Sequence, residues 1–336
     1  MSPTGTGTHA VRVSAIVAAH NAAAFIGQAV DSVLAQDHGD IELIVVDDAS
    51  TDGTAEVLQA HADAGRLRLV RLPRNQGVAA ARNAGLRAAT GEVIAFLDAD
   101  DLWLPHHVSR ALGVLARHPD IDVVLQNFAV RDLHSGAHLG DWFDLRRAAL
   151  QALQCTPLEA QTQRVDGGFL GALMVGCFVH LQATVVRQAV CRQVMFDERL
   201  RCSEDVDWAA RTVHVAGARW ACVAQPSSIY HRHADSLTSD TRANHEAIEL
   251  TGVKLFTGYL AWPGLSPRDR RLIRRALLRS CLDLSYFARQ DERVAPAWRH
   301  WAHSLRHGLT RAQWVEGLKL LVLSPGMWWR GRSVRA

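Results

Sequence analysis

Residues 93–103 have the sequence VIAFLDADDLW, an apolar run that ends in the three carboxylates of Asp98, Asp100 and Asp101. The apolar part has the composition of a buried strand. Carboxylates this close repel one another, and an unpaired one in a dry site costs several kcal/mol. We therefore expect this cluster to be solvated, partly protonated or matched by a cation.

Strand and helix patterns alternate around this stretch. Apolar, β-rich runs predict strands at 11–19, 41–46, 67–72, 92–97 and 121–130, and helical spacing predicts helices at 25–34, 54–64, 78–89 and after Pro105. Such alternation is typical of a mostly parallel sheet covered on both faces. The predicted fold class is therefore α/β.

Polar clusters follow three of the predicted strands. His20 and Asn21 follow the first, Asp47 and Asp48 the second, and Asp98 to Asp101 the strand at 92–97. Ligands of open α/β sheets bind beyond the carboxyl ends of the strands. We therefore predict a binding site at this edge.

The second half has weaker signals. Residues 131–176 are predicted to be an irregular functional loop region with a helical piece near 145–153. Residues 167–186 lack Asp, Glu, Lys and Arg but contain four glycines, His180 and Gln182, which favours a loop and a buried strand over a membrane span. A strand is predicted at 219–224, and helices from residue 241 onward.

Composition indicates a globular chain. Of 336 residues, 48% are hydrophobic and 21% charged, and the net charge is only +3. The six cysteines show no CxxC spacing, which favours reduced thiols and a cytoplasmic location. Residues 1–10 lack the pattern of a signal peptide and are expected to be a flexible leader.

Positive charge is concentrated near the C-terminus. From Trp262 onward there are 15 Lys and Arg against 5 Asp and Glu, together with six of the ten tryptophans. A basic, Trp-rich region of this kind suits binding to an anionic membrane surface. The protein would then be peripheral at the inner face of a membrane. The alternatives are an acidic partner, a solvated helical face, a packed helical subdomain or a homodimer contact. No nucleic-acid recognition motif accompanies the charge.

Five motifs, in order and spacing, resemble those of the family 2 glycosyltransferases: VSAIVAAHNAA, SVLAQDHGDIELIVVDDASTDGT, NQGVAAARNAGLRAATGEVIAFLDADD, FDERLRCSEDVDW and YHRHADSLT. The resemblance implies the GT-A fold, a mostly parallel twisted sheet with helices on both faces, here with a C-terminal helical subdomain. It implies a GT-A domain at 11–240, with a nucleotide-sugar half at 11–130 and an acceptor and catalytic-base half at 131–240. A basic, Trp-rich helical region follows at 241–336.

The resemblance also assigns a cation site. Asp98 and Asp100 match the family's DxD metal motif, and His233 matches a histidine that sometimes completes the metal or diphosphate site. Mn2+ or Mg2+ prefers oxygen ligands and needs only one or two carboxylates when phosphates supply the rest. The alternative for Asp101 is an acidic cap on the next helix. His231 is a weaker candidate than His233.

Nucleotide-sugar contacts are implied at several strand ends. Asp48 matches the family aspartate that contacts the base, and Arg82 an arginine near the nucleotide; the alternatives are a cap for Asp48 and an exposed helix position for Arg82. Asp52 is interpreted as part of a turn. Ala19, His20 and Asn21 replace the family's frequent Pro-x-Tyr-Asn, so the tyrosine's contact is missing. The complete predicted set is Ala19, His20, Asn21, Asp48, Arg82 and Asp98.

Acceptor activation is implied at SEDVDW. An acceptor hydroxyl attacks well only if a positioned base removes its proton. The resemblance makes Asp205 that base and Glu204 its neighbour in the site. The alternative is a solvated acidic helix start.

Together these motifs imply a metal-dependent, inverting glycosyltransferase. The donor would be a nucleotide-sugar, with UDP most expected, and the acceptor a hydroxyl of a glycan or lipid-linked glycan. The rival hypothesis is a catalytically silent relative that binds nucleotide-sugar as a sensor or scaffold. A Rossmann dehydrogenase is disfavoured because GTGTHA precedes the first strand and lacks the third glycine.

Overall fold

The computed structural model describes residues 11–233 and 241–333, with side chains described as far as residue 322. The chain forms two compact units. The first contains the described residues up to Phe169 and Cys177–His233; the second contains Leu170–Gly176 and the described residues after 240.

The first unit is built on a sheet that has 11 strands in the described residues. The strands are β1 (Val13–Ala19), β2 (Ile41–Asp47), β3 (Arg68–Arg71), β4 (Val93–Asp98), β5 (Leu102–Trp103), β6 (Val123–Asp132), β7 (His138–Asp141), β8 (Gln154–Glu159), β9 (Thr162–Gly167), β10 (Thr184–Arg187) and β11 (Trp220–Arg232).

Strand order is β3-β2-β1-β4-β10-β6-β11-β9-β8, with β5 beside β11 and β7 beside β6. Strands β3, β2, β1 and β4 run parallel, as do β6 and β11. Strand β10 is antiparallel to both of its neighbours, β4 and β6. The predicted α/β class with a mostly parallel central sheet is confirmed.

Helices of the first unit connect these strands. They are α1 (Ile26–Leu34), α2 (Thr54–Asp63), α3 (Val78–Ala88), α4 (His107–Arg117), α5 (Trp142–Leu145), α6 (Arg147–Leu150), α8 (Gln188–Gln193) and α9 (Glu204–His214), while α7 (Phe169–Val175) lies mostly in the second unit.

Alternation along β2 explains why helices cover both faces of the sheet. Leu43 and Val45 pack in one apolar cluster with residues of α1 and α4, whereas Ile44 and Val46 pack on the other face with Ala81 of α3. Gly85 lets α3 approach β1 closely, because a Cβ atom at this position would lie 2.4 Å from Cγ2 of Ile16.

Several sequence predictions differ from the structure. Residues 169–175 form helix α7 rather than a loop, because their side chains are mostly buried apolar groups despite Gly171. The region 131–176 contains strands β7, β8 and β9, whose partly exposed residues give little apolar alternation. Strand β11 extends to Arg232, beyond the predicted 219–224, because register shifts near Pro226 let it continue along β6.

The second unit is helical, as predicted. It contains α10 (Arg242–Leu260), α11 (Pro267–Gln290), α12 (Val294–Ser304) and α13 (Arg311–Ser333). Ser266 caps α11 by accepting a hydrogen bond from the N–H of Asp269, and Pro267 occupies its first turn. Within the ranges described, the chain has no helix that combines the length and the apolar character needed to span a membrane.

Candidate active site

Three polar strand ends lie side by side at one edge of the sheet. Ala19 of β1 is opposite Asp47 of β2, and Ala18 is opposite Asp98 of β4. The polar residues that follow β1, β2 and β4 therefore meet where the sequence predicted a binding site.

Asp48 fastens the loop that leads into α3. Its Oδ1 accepts a hydrogen bond from the N–H of Gln76 at 2.8 Å, and its Oδ2 accepts one from the N–H of Gly77 at 2.7 Å. The ring Nδ1 of His20 lies 2.8 Å from the carbonyl oxygen of Asp48. Asp48 thus orients α3, the helix that contains Arg82. The contact of Asp48 with a nucleobase stays a prediction.

Asn21 and Asp52 join the loops after β1 and β2. The Asn21 side-chain oxygen accepts from the N–H of Thr51 at 2.8 Å, and the Asp52 carboxylate accepts from the N–H groups of Ala23 and Thr54. The turn predicted at Asp52 is therefore present. These contacts fix the edge that the predicted nucleotide contacts occupy.

Left-handed backbone occurs at three loops of this edge. Asn21, Ala49 and Ser203 have φ angles of 50°, 55° and 59°, and none of them is glycine. Side chains disfavour this region, so each position stores local strain. Such strain is common where a functional site fixes the backbone.

Arg82 connects α3, β4 and α9. Its Nη2 donates to Oδ1 of Asp98 at 2.6 Å and its Nη1 donates to Oε1 of Glu204 at 2.6 Å. The guanidinium is buried and also lies 5.7 Å from the centre of the Phe196 ring. The alternative interpretation of Arg82 as an exposed helix residue is wrong.

The charge of Arg82 determines the ionisation of Asp98. Burial alone would raise the pKa of Asp98, but the positive charge of Arg82 outweighs it, and the pKa is lowered below the ordinary value. Asp98 is therefore ionised at neutral pH although it is partly buried.

Asp205 occupies the first turn of α9, beside Glu204. Burial raises its pKa to about 7, the charge of Glu204 adds to the rise, and the charge of Arg82 opposes it. Its Oδ1 accepts a hydrogen bond from the N–H of Val206 at 2.8 Å. A carboxylate with a pKa near 7 can both accept and release a proton at neutral pH.

Asp100 and His233 form a second pair. Nε2 of His233 lies 2.9 Å from Oδ2 of Asp100. Burial and the charge of Asp98 raise the pKa of Asp100, while its bond to His233 opposes the rise. This carboxyl group therefore lies where additional positive charge would be favourable.

Asp101 and His231 are structural neighbours of that pair. Oδ1 of Asp101 accepts a hydrogen bond from the N–H of His231 at 2.9 Å, and Nδ1 of His231 lies 2.8 Å from the carbonyl oxygen of Asp100. Helix α4 has no side-chain cap, so the interpretation of Asp101 as its cap is wrong. These bonds fasten the loop after β4 to the end of β11.

The donor set at Asp100 and His233 fits a divalent cation. In the described residues no group of three or more His, Cys, Asp or Glu is arranged to hold a metal ion. Mg2+ and Mn2+ nevertheless bind through one or two protein ligands when a diphosphate and water supply the rest. The carboxylate oxygen of Asp100 is the type of ligand that these two ions prefer, and Nε2 of His233 lies 2.9 Å from it.

An aromatic cluster near these carboxylates was missed by the sequence analysis. Trp142 stacks on Phe128 at 5.0 Å and meets His180 edge to face at 5.5 Å. The guanidinium of Arg146 lies 4.0 Å from the Trp142 ring centre, and its Nε donates to the carbonyl oxygen of Cys177. The hydrophobic pattern of residues 131–176 is too weak to predict this cluster. The one local sign of it is that Trp142 and Arg146 are four residues, about one helical turn, apart.

His180 and Cys177 bring this cluster close to the carboxylates. Burial lowers the pKa of His180, and the charge of Asp98 opposes that effect. Burial raises the pKa of the Cys177 thiol, and the charge of Asp205 adds to the rise. His180 and Cys177 are therefore neutral at pH 7.

Most predicted site residues thus fall into three connected groups. Arg82 joins Asp98 to Glu204 beside Asp205, and Asp100 joins His233. The third group is Ala19, His20, Asn21 and Asp48, which lies at the ends of β1 and β2 and is linked to Arg82 through the start of α3.

Comparison with known proteins identifies the family. The sequence profile described as "Glycosyl transferase family 2" matches residues 14–165. ExoO, a succinoglycan biosynthesis protein of Rhizobium meliloti (strain 1021), is 31% identical over 264 residues, which cover 76% of this chain and 71% of ExoO.

Two other relatives match over shorter stretches. The uncharacterized glycosyltransferase alr2836 of Nostoc sp. is 44% identical over 105 residues, or 31% of this chain and 33% of the relative. WfaP of Escherichia coli is named UDP-Glc:alpha-D-GlcNAc-diphosphoundecaprenol beta-1,3-glucosyltransferase; it is 39% identical over 102 residues, or 30% of this chain and 39% of WfaP. The chain thus spans about a third of the length of these two relatives.

Solved structures show the fold. TarS 1-349 of S. aureus in complex with UDP-GlcNAc aligns with a TM-score of 0.63 and 16% identity over 95% of this chain and 92% of that one. The mannosyltransferase PcManGT of Pyrobaculum calidifontis in complex with GDP-Man and Mn2+ aligns with a TM-score of 0.56 and 21% identity over 94% and 81%. The predicted GT-A fold with additional C-terminal helices is confirmed. The profile match and the ExoO match over most of both chains show that this protein belongs to glycosyl transferase family 2.

Proposed function

We propose that the protein transfers a sugar from a nucleotide-sugar to a hydroxyl of a glycan or lipid-linked glycan, with inversion at the anomeric carbon. The product would belong to a cell-surface polysaccharide or glycoconjugate. The observation that carries this proposal is the position of Asp205, whose pKa is about 7, beside the Arg82, Glu204 and Asp98 network.

The reaction is a direct displacement. The acceptor oxygen bonds to the anomeric carbon, the bond from that carbon to the diphosphate oxygen breaks, and its electron pair leaves with the diphosphate. Asp205 takes the proton of the acceptor hydroxyl in the same step. Because the pKa of Asp205 is close to neutral, the protonated carboxyl can return this proton to water after transfer.

Arg82 and Glu204 position the base. Glu204 accepts from Arg82, and Arg82 accordingly holds the start of α9 against the end of β4. The charge of Glu204 helps to keep the pKa of Asp205 high, while Arg82 keeps it from rising further. These two residues therefore tune the base without accepting the proton themselves.

Donor binding is assigned to the carboxyl ends of β1, β2 and β4. Asp48, His20 and Asn21 would face the nucleoside, with Ala19 at the strand end and Arg82 and Asp98 beside the sugar and diphosphate. Asp100 and His233 would hold Mn2+ or Mg2+ together with the diphosphate, whereas Asp98, the third predicted ligand, is paired with Arg82. When bound, such an ion would neutralise charge that develops on the leaving diphosphate. The complex of TarS with UDP-GlcNAc supports a UDP-sugar as the donor. The complex of PcManGT with GDP-Man is the reason to test GDP as well.

The acceptor is proposed from the relatives. ExoO is named for succinoglycan biosynthesis, and WfaP is named for a diphosphoundecaprenol-linked acceptor. The aromatic cluster of Trp142 and His180 and the guanidinium of Arg146 lie on segments distinct from the donor strands. His180 is close enough to Asp98 for the charge of that carboxylate to affect its pKa. We assign the acceptor to this side.

Two measurements on the full chain test this function. The first is the thermal midpoint with Mn2+ and UDP, GDP, dTDP or CMP; a ligand at about 100 times its Kd adds about 2.7 kcal/mol, or roughly 5–10 °C. The second is nucleotide release from the matching sugar donor with a lipid-linked glycan acceptor. We expect one nucleotide to stabilise the protein and Asp205→Asn to lower turnover by about 10²–10⁴-fold.

The silent-relative hypothesis predicts a different pair of results. Nucleotide would still raise the thermal midpoint, but wild type and Asp205→Asn would release nucleotide at the same background rate. Absence of a shift with any nucleotide would refute both hypotheses. Asp197→Asn is the matched control, because Asp197 precedes α9 and pairs with the exposed Arg199 away from the network.

A further inference from the structure

Helix α13 exposes large apolar side chains to solvent. Trp314, Leu318 and Val322 are 67%, 59% and 74% exposed, and Val315 and Leu321 are exposed beside them. Positions 314, 318 and 322 are four residues apart and therefore lie along one side of the helix. We call the side formed by Trp314, Val315, Leu318, Leu321 and Val322 the exposed α13 face.

The opposite side of α13 is firmly packed, so the orientation of the helix is defined. Leu320 is buried with Ala288 and Ala297, and Nε1 of Trp301 donates to the carbonyl oxygen of Gln313 at 2.8 Å. A Cβ atom on Gly317 would lie 2.7 Å from the Trp301 ring, which shows how closely α13 lies on α12. The exposed α13 face is therefore the side left over after this packing.

Charge around this face is positive. Arg311 and Lys319 are exposed on α13, and Glu316, the only acidic residue between Arg311 and Ser333, is buried and paired with Arg289 at 2.8 Å. From Trp262 onward the sequence contains 15 basic and 5 acidic residues. A surface that attracts this region must therefore be anionic, and it must also accept apolar side chains.

We infer that the exposed α13 face docks onto an anionic lipid bilayer, with Trp314, Leu318 and Val322 inserted at the headgroup level. A helix with an apolar face, a tryptophan and basic neighbours lies in the interface plane in this way. A second copy of the chain fits less well, because pairing two such faces would bring two basic regions together. Lipid relieves that repulsion, since anionic headgroups attract Arg311 and Lys319.

Vesicle flotation of the full chain tests this inference. Vesicles contain phosphatidylcholine alone or with about 30% phosphatidylglycerol. We expect wild type to float with the anionic vesicles and to bind less in about 0.5 M NaCl, where surface charges are screened. Trp314→Ser/Leu318→Ser/Val322→Ser should reduce partitioning by at least about tenfold, and Arg311→Gln or Lys319→Gln by about fivefold each on anionic vesicles only.

The control is Leu139→Ser/Val215→Ser, which removes exposed apolar side chains from the first unit and should leave flotation unchanged. Thermal midpoints should stay within about 2 °C for every variant, because the substituted groups are exposed. Wild-type protein that floats with neither vesicle, or a triple variant that floats as well as wild type, overturns the inference. Light scattering that finds a dimer abolished by the triple variant, without flotation, would assign the face to a second copy instead.

Discussion

Arg82 and Glu204 lie 122 positions apart in the sequence, and Nη1 of Arg82 donates to Oε1 of Glu204 at 2.6 Å. The same guanidinium holds Asp98 at the end of β4. One cation therefore neutralises carboxylates from the donor strands and from the helix that carries the proposed base. This arrangement makes the position and the pKa of Asp205 depend on Arg82.

Arg82→Met should strongly destabilise the protein. It leaves the partly buried Asp98 and the buried Glu204 without their cation, which costs about 3–5 kcal/mol and lowers the thermal midpoint by roughly 6–20 °C. Arg87→Met is the control on the same helix, because Arg87 is exposed and its pair with Glu198 contributes less than about 1 kcal/mol. Equal midpoints for the two variants would show that the network does not stabilise the fold.

The transfer rate should follow the ionisation of Asp205. The base acts when deprotonated, so kcat/KM should rise about tenfold per pH unit below about 7 and level off above it. Glu204→Gln removes a negative charge that raises the pKa of Asp205, so the midpoint of this profile should move to lower pH. An unchanged midpoint in Glu204→Gln, or a rate that falls as pH rises through 7, would contradict the role of Asp205.

Asp205→Asn should make the protein more stable while it abolishes most activity. The pKa of Asp205 is about 7 in the folded state and 3.8 is its ordinary value, so ionisation of the folded protein is unfavourable. The stability gained by Asp205→Asn is full above pH 7 and shrinks as pH falls towards about 4, where the unfolded chain also takes up the proton. Thermal midpoints of both proteins across this range measure the effect, and a constant gap would contradict it.

Asp100→Ala and His233→Ala should each remove the effect of Mn2+ on nucleotide binding. We expect the nucleotide-induced rise in thermal midpoint to lose its metal dependence in both variants, because they delete one ligand each. Asp144→Ala is the control, since Asp144 is an exposed carboxylate paired with Arg147. A metal-dependent rise in the two variants equal to that of wild type would remove Asp100 and His233 from the cation site.

Gly85→Ala should destabilise the sheet face under α3. The added Cβ would lie 2.4 Å from Cγ2 of Ile16, so helix or strand must shift, at a cost of about 1–3 kcal/mol or roughly 2–12 °C. Gly27→Ala in α1 is the matched control, because nothing lies within 4 Å of its Cβ position and alanine favours helix by about 0.5–1 kcal/mol. A smaller loss of stability from Ile16→Ala in the Gly85→Ala background than in wild type would confirm that this contact is the cause, because Ile16 is buried and its truncation alone is costly.

Local sequence patterns predicted the strands that pair with strands close to them in the sequence, namely β1 to β4. The strands that end at Ala19, Asp47 and Asp98 have clear apolar runs, and parallel pairing brings their polar ends together without further information. The α/β class and the position of a binding edge therefore followed from the first 130 residues.

Contacts between distant segments could not be predicted in the same way. Arg82 has the sequence context of any helical arginine, and only the packing of α9 against the sheet gives it Glu204. His180 lies in a run without Asp, Glu, Lys or Arg, so nothing local placed it near Asp98. The exposure of Trp314 depends on which side of α13 packs on α12.

Strand β10 has a consequence for the chain as it is synthesised. Strand β10 lies between β4 and β6 in the sheet and pairs with both, yet it comes about fifty residues after β6 in the sequence. Until Thr184–Arg187 has emerged from the ribosome, one edge of β4 has no partner strand in the nascent sheet. Strand β4 is almost wholly apolar, so this unpaired edge is an apolar one. An unpaired apolar edge invites pairing with other chains. A chain interrupted between residues 130 and 183 is therefore expected to aggregate, whereas one that extends through Arg187 can close this gap in its sheet.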